Sequence, residues 1–359
     1  MRFFFVLAVL WSGILSARTL DQQIANMFVL GFYGTHASQK GIVRDICDRG
    51  LGGVILFDRH PTRHAQAKNI ASATQLKRLT HRLGTACAHQ PLIAIDQEGG
   101  TVQRIRFSGR YPRAASVGKG SLKQAARTYG TMAHELARLG LNYDLAPIAD
   151  LAINPANRVI VKLGRAYGKD PERVARYDAV FLQAMHRYGV LTALKHFPGH
   201  GSSRGDTHKG FVDVTRLWSE RELEPYRRLI QAGRVDSIMV AHVFNRHLDT
   251  RYPASLSRKT VHGLLRKKLG YRGVVITDDL QMRAISQHYS LRTVIALAIN
   301  AGDDLLLFGN QLAPGHEVHI ADLVAITRDL LARGIISRVA IARANRRIDA
   351  MKHRIGLRP

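Results

Sequence analysis

Eight short apolar runs at roughly even spacing dominate this chain of 359 residues. Each run is rich in Val, Ile, Leu or Phe and does not alternate with polar residues, which is typical of strands buried on both faces of a parallel sheet. The runs cover residues 27–32, 53–57, 92–96, 143–148, 191–195, 237–241, 273–277 and 304–308. Longer segments of helical pattern separate them, for example 64–84, 121–138, 171–188, 219–232, 290–300 and 337–354.

Strand and helix alternating eight times predict a single-domain α/β fold, a (β/α)₈ TIM-type barrel. A doubly wound open sheet is the competing architecture, and periodicity alone does not exclude it. The count of eight and the chain length favour the barrel. Because no Pro/Ser-rich linker or compositional break marks a second domain, we assign residues 18–359 to one domain.

The first seventeen residues resemble a secretory signal peptide. Arg2 supplies a basic start, residues 3–10 an apolar core, and Ser16 and Ala17 a small-residue exit, so we expect cleavage near Ala17. The apolar stretch is short for a membrane span of about 20 residues, and the rest of the chain has no run apolar enough to cross a membrane. We therefore expect an exported protein, periplasmic or extracellular, and a monomer.

The net charge is +26, and loss of Arg2 with the leader lowers it to +25. Such a balance attracts polyanions in general. The Lys and Arg residues are spread along the chain, without a nucleic-acid-binding signature beside them. The charge therefore names no function, and we predict no nucleic-acid partner.

Cys47 and Cys87 are the only cysteines, so no disulfide framework holds the fold together. An oxidising compartment would permit one bridge. Nothing in the sequence indicates that the two residues meet, and the pairing stays open at this point.

The segment 195–201, Lys-His-Phe-Pro-Gly-His-Gly, is followed by Asp206-Thr-His208. Glycine and proline at this density predict a loop that displays its side chains. An aspartate two residues before a histidine can reach the imidazole, orient it and hold its proton, as an acid–base catalyst requires. A His-rich surface loop is the alternative, but the apolar run before Lys195 argues against it.

Polar residues recur where the apolar runs end, which indicates an active site. Asp96 and Glu98 follow the third run, Lys195 and His196 end the fifth, His242 follows the sixth, and Asp278 and Asp279 follow the seventh. Barrel enzymes build their active sites at the carboxyl ends of the strands. A single such residue could cap a helix, but four strand ends are hard to explain in that way.

These motifs together resemble family 3 glycoside hydrolases, specifically the single-domain bacterial β-N-acetylhexosaminidases. The resemblance runs from about residue 20 to about 310 and rests on five motifs in the family's order. They are 95–100 with Val102 and Arg104, 164–168, 195–201 with 206–208, 241–243, and 277–280.

The resemblance implies that Asp278 is the catalytic nucleophile and that His208 is the general acid/base, with Asp206 orienting it. A carboxylate at the end of a buried strand can form a covalent glycosyl-enzyme, and a histidine titrates near neutral pH. Because adjacent strand residues point to opposite faces, we expect Asp279 to be a structural partner or a helix cap. The loop position of His208 allows it to stand far from Asp278 until substrate binds.

The resemblance also implies a set of substrate-binding residues. Aspartate can accept two sugar hydroxyls, while Lys and Arg donate to hydroxyls or to the acetamido carbonyl. Around Arg165 the sequence departs from the family, because Gly164 replaces an acidic residue, Ala166 a serine and Tyr167 a phenylalanine. The implied set is Asp96, Arg104, Arg165, Lys195 and His196.

Two further histidines and the question of a metal complete the site. We interpret His200 as structural, bonding within its Pro-Gly turn, and His242 as near the site without an assigned role. His196 and His200 have a spacing that serves zinc on a helix, but Pro198 and Gly199 between them break any helix. We therefore predict no metal and no cofactor.

Together these residues predict a retaining β-N-acetylhexosaminidase that releases terminal, non-reducing N-acetylglucosamine from β-linked glycans, with peptidoglycan fragments as the expected substrate. A β-glucosidase or an N-acetylglucosaminide phosphorylase of the same family remains an alternative. A third alternative, of another class, is a non-catalytic basic binder of anionic wall polymer.

Overall fold

The computed structural model describes residues 18–312 and 314–359, so the predicted signal peptide, residues 1–17, lies outside the described residues. The structure forms the predicted barrel from eight parallel strands. They are β1 (Phe28–Gly31), β2 (Gly53–Ile55), β3 (Leu92–Ile95), β4 (Tyr143–Asp144), β5 (Leu191–Phe197), β6 (Ser237–Val240), β7 (Val274–Thr277) and β8 (Leu306–Phe308).

The strand order identifies the barrel and excludes the open sheet. The hydrogen-bonded order is β7-β6-β5-β4-β3-β2-β1-β8, so chain neighbours are sheet neighbours throughout and β8 pairs with β1. A parallel bridge between Ile276 and Leu305 connects the two ends of this order. A doubly wound sheet would reverse its order at a switch point, and this sheet does not.

The helices follow the strands around the outside of the barrel. A π-helical segment, Lys259–Lys268, stands between β6 and β7, and two short 3₁₀ turns cover Glu220–Leu223 and Ala254–Leu256. Along the described part of the chain, no helix combines the length and the apolarity that a membrane span requires. The α-helices are α1 (Leu20–Ala25), α2 (Ile42–Cys47), α3 (Ala73–Thr85), α4 (Ala114–Val117), α5 (Leu122–Arg138), α6 (Pro171–Arg187), α7 (Glu224–Gln231), α8 (Arg283–Ser286), α9 (Leu291–Ala301), α10 (Ile320–Ala332) and α11 (Arg338–His353).

Two predicted helices begin later than the pattern indicated. The helix predicted over 64–84 begins at Ala73, where the Ser72 side chain accepts from the Gln75 N–H and caps it. The helix predicted over 219–232 begins as a 3₁₀ turn and becomes α7 at Glu224. Pro225 lies in the first turn of α7, where its missing N–H has no cost.

Strand β5 carries the polar motif into the barrel. All seven of its residues are buried, including Lys195 and His196 near its end. Burying these two side chains requires partners, and the neighbouring strand ends supply them.

The structure pairs Cys47 with Cys87 in a disulfide, with Cα atoms 5.7 Å apart. Cys47 ends α2, and Cys87 lies two residues after α3. The sequence left this pairing open because nothing in it brings the ends of two separate helices together. Their packing around the barrel does so.

Candidate active site

A pocket of about 450 Å³ opens at the carboxyl ends of the barrel strands. Because the strands are parallel, residues that follow different strands converge there. Seven of the eight predicted site residues line the pocket. The eighth, Asp206, is hydrogen-bonded to His208, which is one of these seven. These seven are Asp96, Arg104, Arg165, Lys195, His196, His208 and Asp278.

Asp96 lies between two cations on the pocket wall. The Lys195 Nζ donates to its Oδ1 at 3.0 Å, and Arg104 Nη2 donates to its Oδ2 at 3.4 Å. Burial raises the pKa of Asp96, but the charges of Lys195 and Arg104 outweigh burial and lower the pKa below its usual value. The carboxylate is therefore ionised and can accept hydrogen bonds from a sugar.

Glu98 is part of the site, although the sequence analysis gave it no role. It accepts from Arg165 Nε at 2.8 Å and from Arg165 Nη2 at 2.7 Å, and its Oε1 lies 2.8 Å from Lys195 Nζ. Burial raises its pKa, but Arg165 and Lys195 hold the pKa well below the usual range. Its position just beyond the third apolar run marked it as a polar residue at the active-site end, but did not reveal its pairing with Arg165 and Lys195.

Asp150 is a second residue that sequence reasoning missed. Its Oδ2 lies 2.7 Å from His196 Nδ1, and its Oδ1 accepts from the His200 N–H at 2.7 Å. Burial raises its pKa and His196 outweighs that effect, so the pKa is lowered. An ionised Asp150 makes Nδ1 the protonated nitrogen and orients the His196 ring. The available signal was an aspartate two residues beyond the fourth apolar run.

Asp278 is buried directly after β7 and lines the pocket. Its N–H donates to the Val240 carbonyl at 3.0 Å, and its Oδ1 accepts from the Asp279 N–H at 2.9 Å. Burial raises its pKa, but His196, His242, His208 and the Asp279 N–H lower it to about 2. The group is therefore an anion at neutral pH, as a nucleophile must be.

Asp279 connects the ends of two barrel strands. Its Oδ1 accepts from the Gln281 N–H at 3.0 Å and from the Gly309 N–H, just after β8, at 3.2 Å. A Cβ on Gly309 would stand 2.5 Å from Asp279 Oδ2, so this approach requires glycine. Burial and the neighbouring Asp278 raise its pKa to about 6 despite these two N–H donors. Asp279 also lines the pocket, so the opposite-face argument does not keep it out of the site, but its hydrogen bonds are those of a structural partner.

His208 and Asp206 form a pair on the loop after β5. The His208 Nδ1 lies 2.8 Å from Asp206 Oδ1, which also accepts the His208 N–H at 3.0 Å. Their side chains are 44% and 26% exposed. The Thr207 carbonyl accepts from the Ala284 N–H at 3.1 Å, which fixes the loop against the segment after Asp278. His208 and Asp278 therefore line one pocket, although the loop position allowed them to stand apart.

The base of this loop is held by the segment before α7. Glu222 Oε2 accepts from the N–H groups of Gly201 at 3.1 Å and Ser202 at 3.3 Å. Gly199 has a φ of 127°, and a Cβ there would stand 2.6 Å from Glu222 Cβ. Burial and the charge of Asp150 raise the pKa of Glu222 to about 7. Sequence reasoning gave Glu222 no role because its loop partners are about twenty residues away.

The two remaining histidines are held by hydroxyl groups. His200 Nδ1 lies 2.7 Å from Ser203 Oγ within the turn, as expected of a structural residue. Its Nε2 is buried and has no hydrogen-bond partner in the described structure. His242 Nδ1 lies 2.7 Å from Ser255 Oγ, and its Nε2 lies 2.9 Å from the Asp279 carbonyl. His242 therefore supports the segment that carries Asp278.

Within residues 18–312 and 314–359, no group of three or more His, Cys, Asp or Glu side chains is placed to hold a metal ion. Two histidines of the site, His196 and His208, are instead each hydrogen-bonded to one aspartate, Asp150 and Asp206. These pairs suit acid–base chemistry.

Comparison with known proteins identifies the family. Residues 19–351 match the glycosyl hydrolase family 3 N-terminal domain. The chain belongs to glycosyl hydrolase family 3. This family 3 hydrolase is similar to a β-hexosaminidase from Tolumonas auensis, with 38% identity over 273 residues, 73% of this chain and 77% of that protein.

Two solved structures share the fold of this family 3 hydrolase. A family 3 β-N-acetylglucosaminidase from a Paenibacillus species superposes with a TM-score of 0.84 at 33% identity, over 94% of this chain and 63% of that chain. A β-N-acetylhexosaminidase from Beutenbergia cavernae has a TM-score of 0.81 at 28% identity, over 94% of this chain and 99% of that chain. The chain thus spans less than two thirds of the Paenibacillus structure.

The departures from the family pattern around Arg165 are accommodated by local contacts. Gly164 has a φ of 66°, and a Cβ there would stand 2.6 Å from Arg113 Cδ, so a side chain would strain this turn. The Tyr167 hydroxyl accepts from the Tyr129 hydroxyl at 2.7 Å in the core. In this family 3 hydrolase the extra hydroxyl of Tyr167 is therefore satisfied behind the site.

Proposed function

We propose that this family 3 hydrolase is a retaining β-N-acetylhexosaminidase that releases terminal, non-reducing N-acetylglucosamine from β-linked glycans. One observation carries the proposal: a buried, ionised Asp278 lines the same pocket as the His208–Asp206 pair. The printed names of the relatives, β-hexosaminidase and β-N-acetylglucosaminidase, support the sugar that we assign.

In the first step, an Asp278 carboxylate oxygen attacks the anomeric carbon C1. The bond from C1 to the leaving oxygen breaks, and protonated His208 gives that oxygen a proton from Nε2. Asp206 accepts the hydrogen bond from Nδ1 and thereby stabilises the imidazolium and fixes its orientation. The products are a glycosyl ester of Asp278 and the free aglycone alcohol.

In the second step, neutral His208 takes a proton from water while the water oxygen attacks C1. The ester bond to Asp278 breaks, and the carboxylate returns as the leaving group. Two displacements at C1 restore the β configuration. The cycle uses no cofactor, because both proton transfers and the nucleophile come from the chain.

The pocket wall would bind the sugar through its hydroxyl and acetamido groups. Asp96 can accept from two hydroxyls, and Lys195 and Arg104 beside it are donors. His196 is oriented by Asp150 and presents Nε2 to the pocket. Arg165 is tied to Glu98 by two hydrogen bonds, so its remaining donor capacity points in a fixed direction.

We further propose that the enzyme works outside the cytoplasm, on glycans derived from peptidoglycan. The leader-like residues 1–17 support export. The Cys47–Cys87 disulfide gives independent support, because such bonds persist in oxidising compartments.

Hydrolysis of nitrophenyl N-acetylglucosaminide and nitrophenyl glucoside, measured side by side, tests the activity. We expect turnover of the first substrate to exceed that of the second by at least about a hundredfold, because a site that hydrogen-bonds a substrate group rejects the analogue without it. Equal or better turnover of the glucoside would contradict the assignment. Repeating the assay with phosphate separates hydrolysis from phosphorolysis, since a glycosyl phosphate product would overturn the hydrolase.

A further inference from the structure

A second pocket, of about 600 Å³, lies at the other end of the barrel from the active site. It is formed where β7 and β8 begin, between the π-helical segment, the end of α9 and the start of α11. The residues just before the two strands, Arg272 and Asp304, line it, whereas Asp278 and Gly309 follow the same strands at the catalytic end. We call it the basal pocket.

The basal pocket is lined by an excess of positive charge. Two of its arginines, Arg266 and Arg347, share the buried carboxylate of Asp304, at 2.6 and 2.9 Å. The other four cations have no carboxylate within 4.0 Å and no side-chain hydrogen bond anywhere in residues 18–312 and 314–359. These four are Arg258, Lys267, Arg272 and Arg343.

The wall of the basal pocket also holds buried polar atoms that lack partners. The Arg266 side chain is 8% exposed, and its Nε has no hydrogen-bond partner among the described residues. Asp303 is 2% exposed, and within the same residues both of its carboxyl oxygens are unpartnered. Buried polar groups normally have partners, so a ligand with oxygen atoms would complete this wall.

Asp303 does not cancel the positive charge. Burial and the neighbouring Asp304 raise its pKa well above the usual value. Even an ionised Asp303 would leave an excess of positive charge, because six cations and only two carboxylates line the basal pocket.

Two further features show that the field in the basal pocket is positive. Burial and then the charges of Arg258, Lys267, Arg266 and Arg343 lower the pKa of His262. The sixteen-residue helix α11 begins at the pocket wall, where Ser337, Val339 and Ala340 line it. The positive end of its dipole adds to the attraction for an anion.

Helix-end chemistry accounts for Lys267, which lies in the last turn of the π-helical segment, but not for the other three unpaired cations. Arg266 already donates to the carbonyls of Gly273 and Gly302, the latter just after α9. Arg343 lies in the second turn of α11, far from the C-terminal end where the helix dipole would favour a cation. The charges of Arg258, Arg272 and Arg343 therefore gain no compensation from a helix end or from a carboxylate within 4.0 Å among the described residues.

We propose that the basal pocket binds a multiply charged phosphoryl group, either of a free phosphorylated ligand or of a phosphate-bearing polymer. Arginine suits such a group because its planar guanidinium donates two parallel hydrogen bonds to phosphate oxygens. Binding at this end leaves the catalytic mouth unobstructed. A polymer held there would tether the enzyme with its active site facing away, independently of the reaction that the active site performs.

Calorimetric titration of the whole protein with pyrophosphate at about 0.1 M salt tests the proposal. We expect saturable binding at one site. Replacing two exposed cations in Arg258→Ala/Arg343→Ala should weaken it roughly tenfold, because each exposed charge contributes modestly to anion binding. The matched control is Lys77→Ala/Arg78→Ala, which removes the same charge from exposed positions on α3, and we expect less than about a twofold change.

The outcomes separate a specific site from general attraction. Equal weakening by the two double variants, absence of saturable binding, or displacement of pyrophosphate by N-acetylglucosamine would each overturn the proposal. Long-chain polyphosphate distinguishes the two sources of the phosphoryl group. If polyphosphate binds more tightly than pyrophosphate, and this gain in affinity is lost in Arg258→Ala/Arg343→Ala, the ligand is a polymer. Equal affinities for the two compounds indicate a small ligand. Hydrolysis of a nitrophenyl N-acetylglucosaminide should be unchanged in both double variants, so the proposed activity is tested separately.

Discussion

The floor of the active-site pocket and the loop above it are built in opposite ways. On the floor, Glu98, Arg165 and Lys195 are almost fully buried and joined by short hydrogen bonds. On the loop, His208 is 44% exposed and its side chain has one hydrogen-bonded partner, Asp206, among the described residues. The proposed nucleophile, Asp278, therefore shares its pocket with a preorganised floor, whereas the proposed acid/base, His208, depends on how a surface loop is docked.

The largest expected effect is the difference in kcat between variants of two adjacent residues, Asp278 and Asp279. Asp278→Asn should lower kcat by roughly a thousandfold or more, because it removes the attacking oxygen anion. Asp279→Asn is the matched control, since its amide oxygen can still accept from Gln281 and Gly309. We expect it to keep activity within about tenfold of the wild type. A larger loss in Asp279→Asn than in Asp278→Asn would reverse the assignment.

On the loop, His208→Ala should lower kcat/KM, which reports the glycosylation step, by roughly a hundred- to ten-thousandfold on an unactivated disaccharide. The loss should be much smaller on a nitrophenyl glycoside, because that leaving group departs without protonation. Asp206→Asn should show the same difference between the two substrates with smaller losses of activity, since it removes only the group that orients the imidazole. Equal losses on both substrates would show that His208 does not protonate the leaving group.

Within the floor, Glu98→Gln should destabilise the fold by about 3 kcal/mol and raise KM. It leaves two buried cations, Arg165 and Lys195, with one negative charge fewer. The control is Glu220→Gln, which loses only an exposed contact with Lys268 and should leave the free energy of unfolding nearly unchanged. Urea unfolding of the two variants measures the difference, and similar costs would contradict the preorganised floor.

The smallest effect concerns the base of the loop and depends on pH. The pKa of Glu222 is raised to about 7 in the folded protein from its ordinary value of 4.5. The folded state therefore binds this proton more tightly, and its stability falls as the pH rises from about 4.5 to about 7. Glu222→Gln has no such proton, so its stability relative to the wild type should rise by about 1–3 kcal/mol between pH 5 and pH 8. A difference that stays constant or falls over this range would show that Glu222 is not held protonated.

Sequence patterns predicted most of the barrel because they report on burial. The eight apolar runs coincide with β1 to β8, since strands buried on both faces leave an unbroken apolar signature. The start of α3 was predicted nine residues too early, at residue 64 instead of Ala73. The polar residues of the loop before Ala73 have a helix-like spacing, and only the Ser72 cap marks the boundary. The Cys47–Cys87 pair depends on how two helices pack, which no local pattern encodes.

The site was predictable where residues follow strands and unpredictable where they act through distant partners. Seven of the predicted residues line one pocket because parallel strands end at the same face. Asp150 and Glu222 matter only through His196 and the Gly201 backbone, which lie far along the chain from them. Such contacts arise from the tertiary fold: the place of Asp150 just beyond the fourth apolar run marks it as a candidate but does not reveal its partner.

The most direct test of the catalytic account is to trap the glycosyl-enzyme. A fluorinated N-acetylglucosaminyl fluoride, whose electron-poor ring slows both steps, should accumulate the ester, and peptide mass spectrometry then locates the added sugar. We predict one sugar per chain on the peptide that contains Asp278, and none in Asp278→Asn. A sugar on another carboxylate would contradict the account. Rapid turnover to a product of inverted configuration, without any adduct, would contradict it as well.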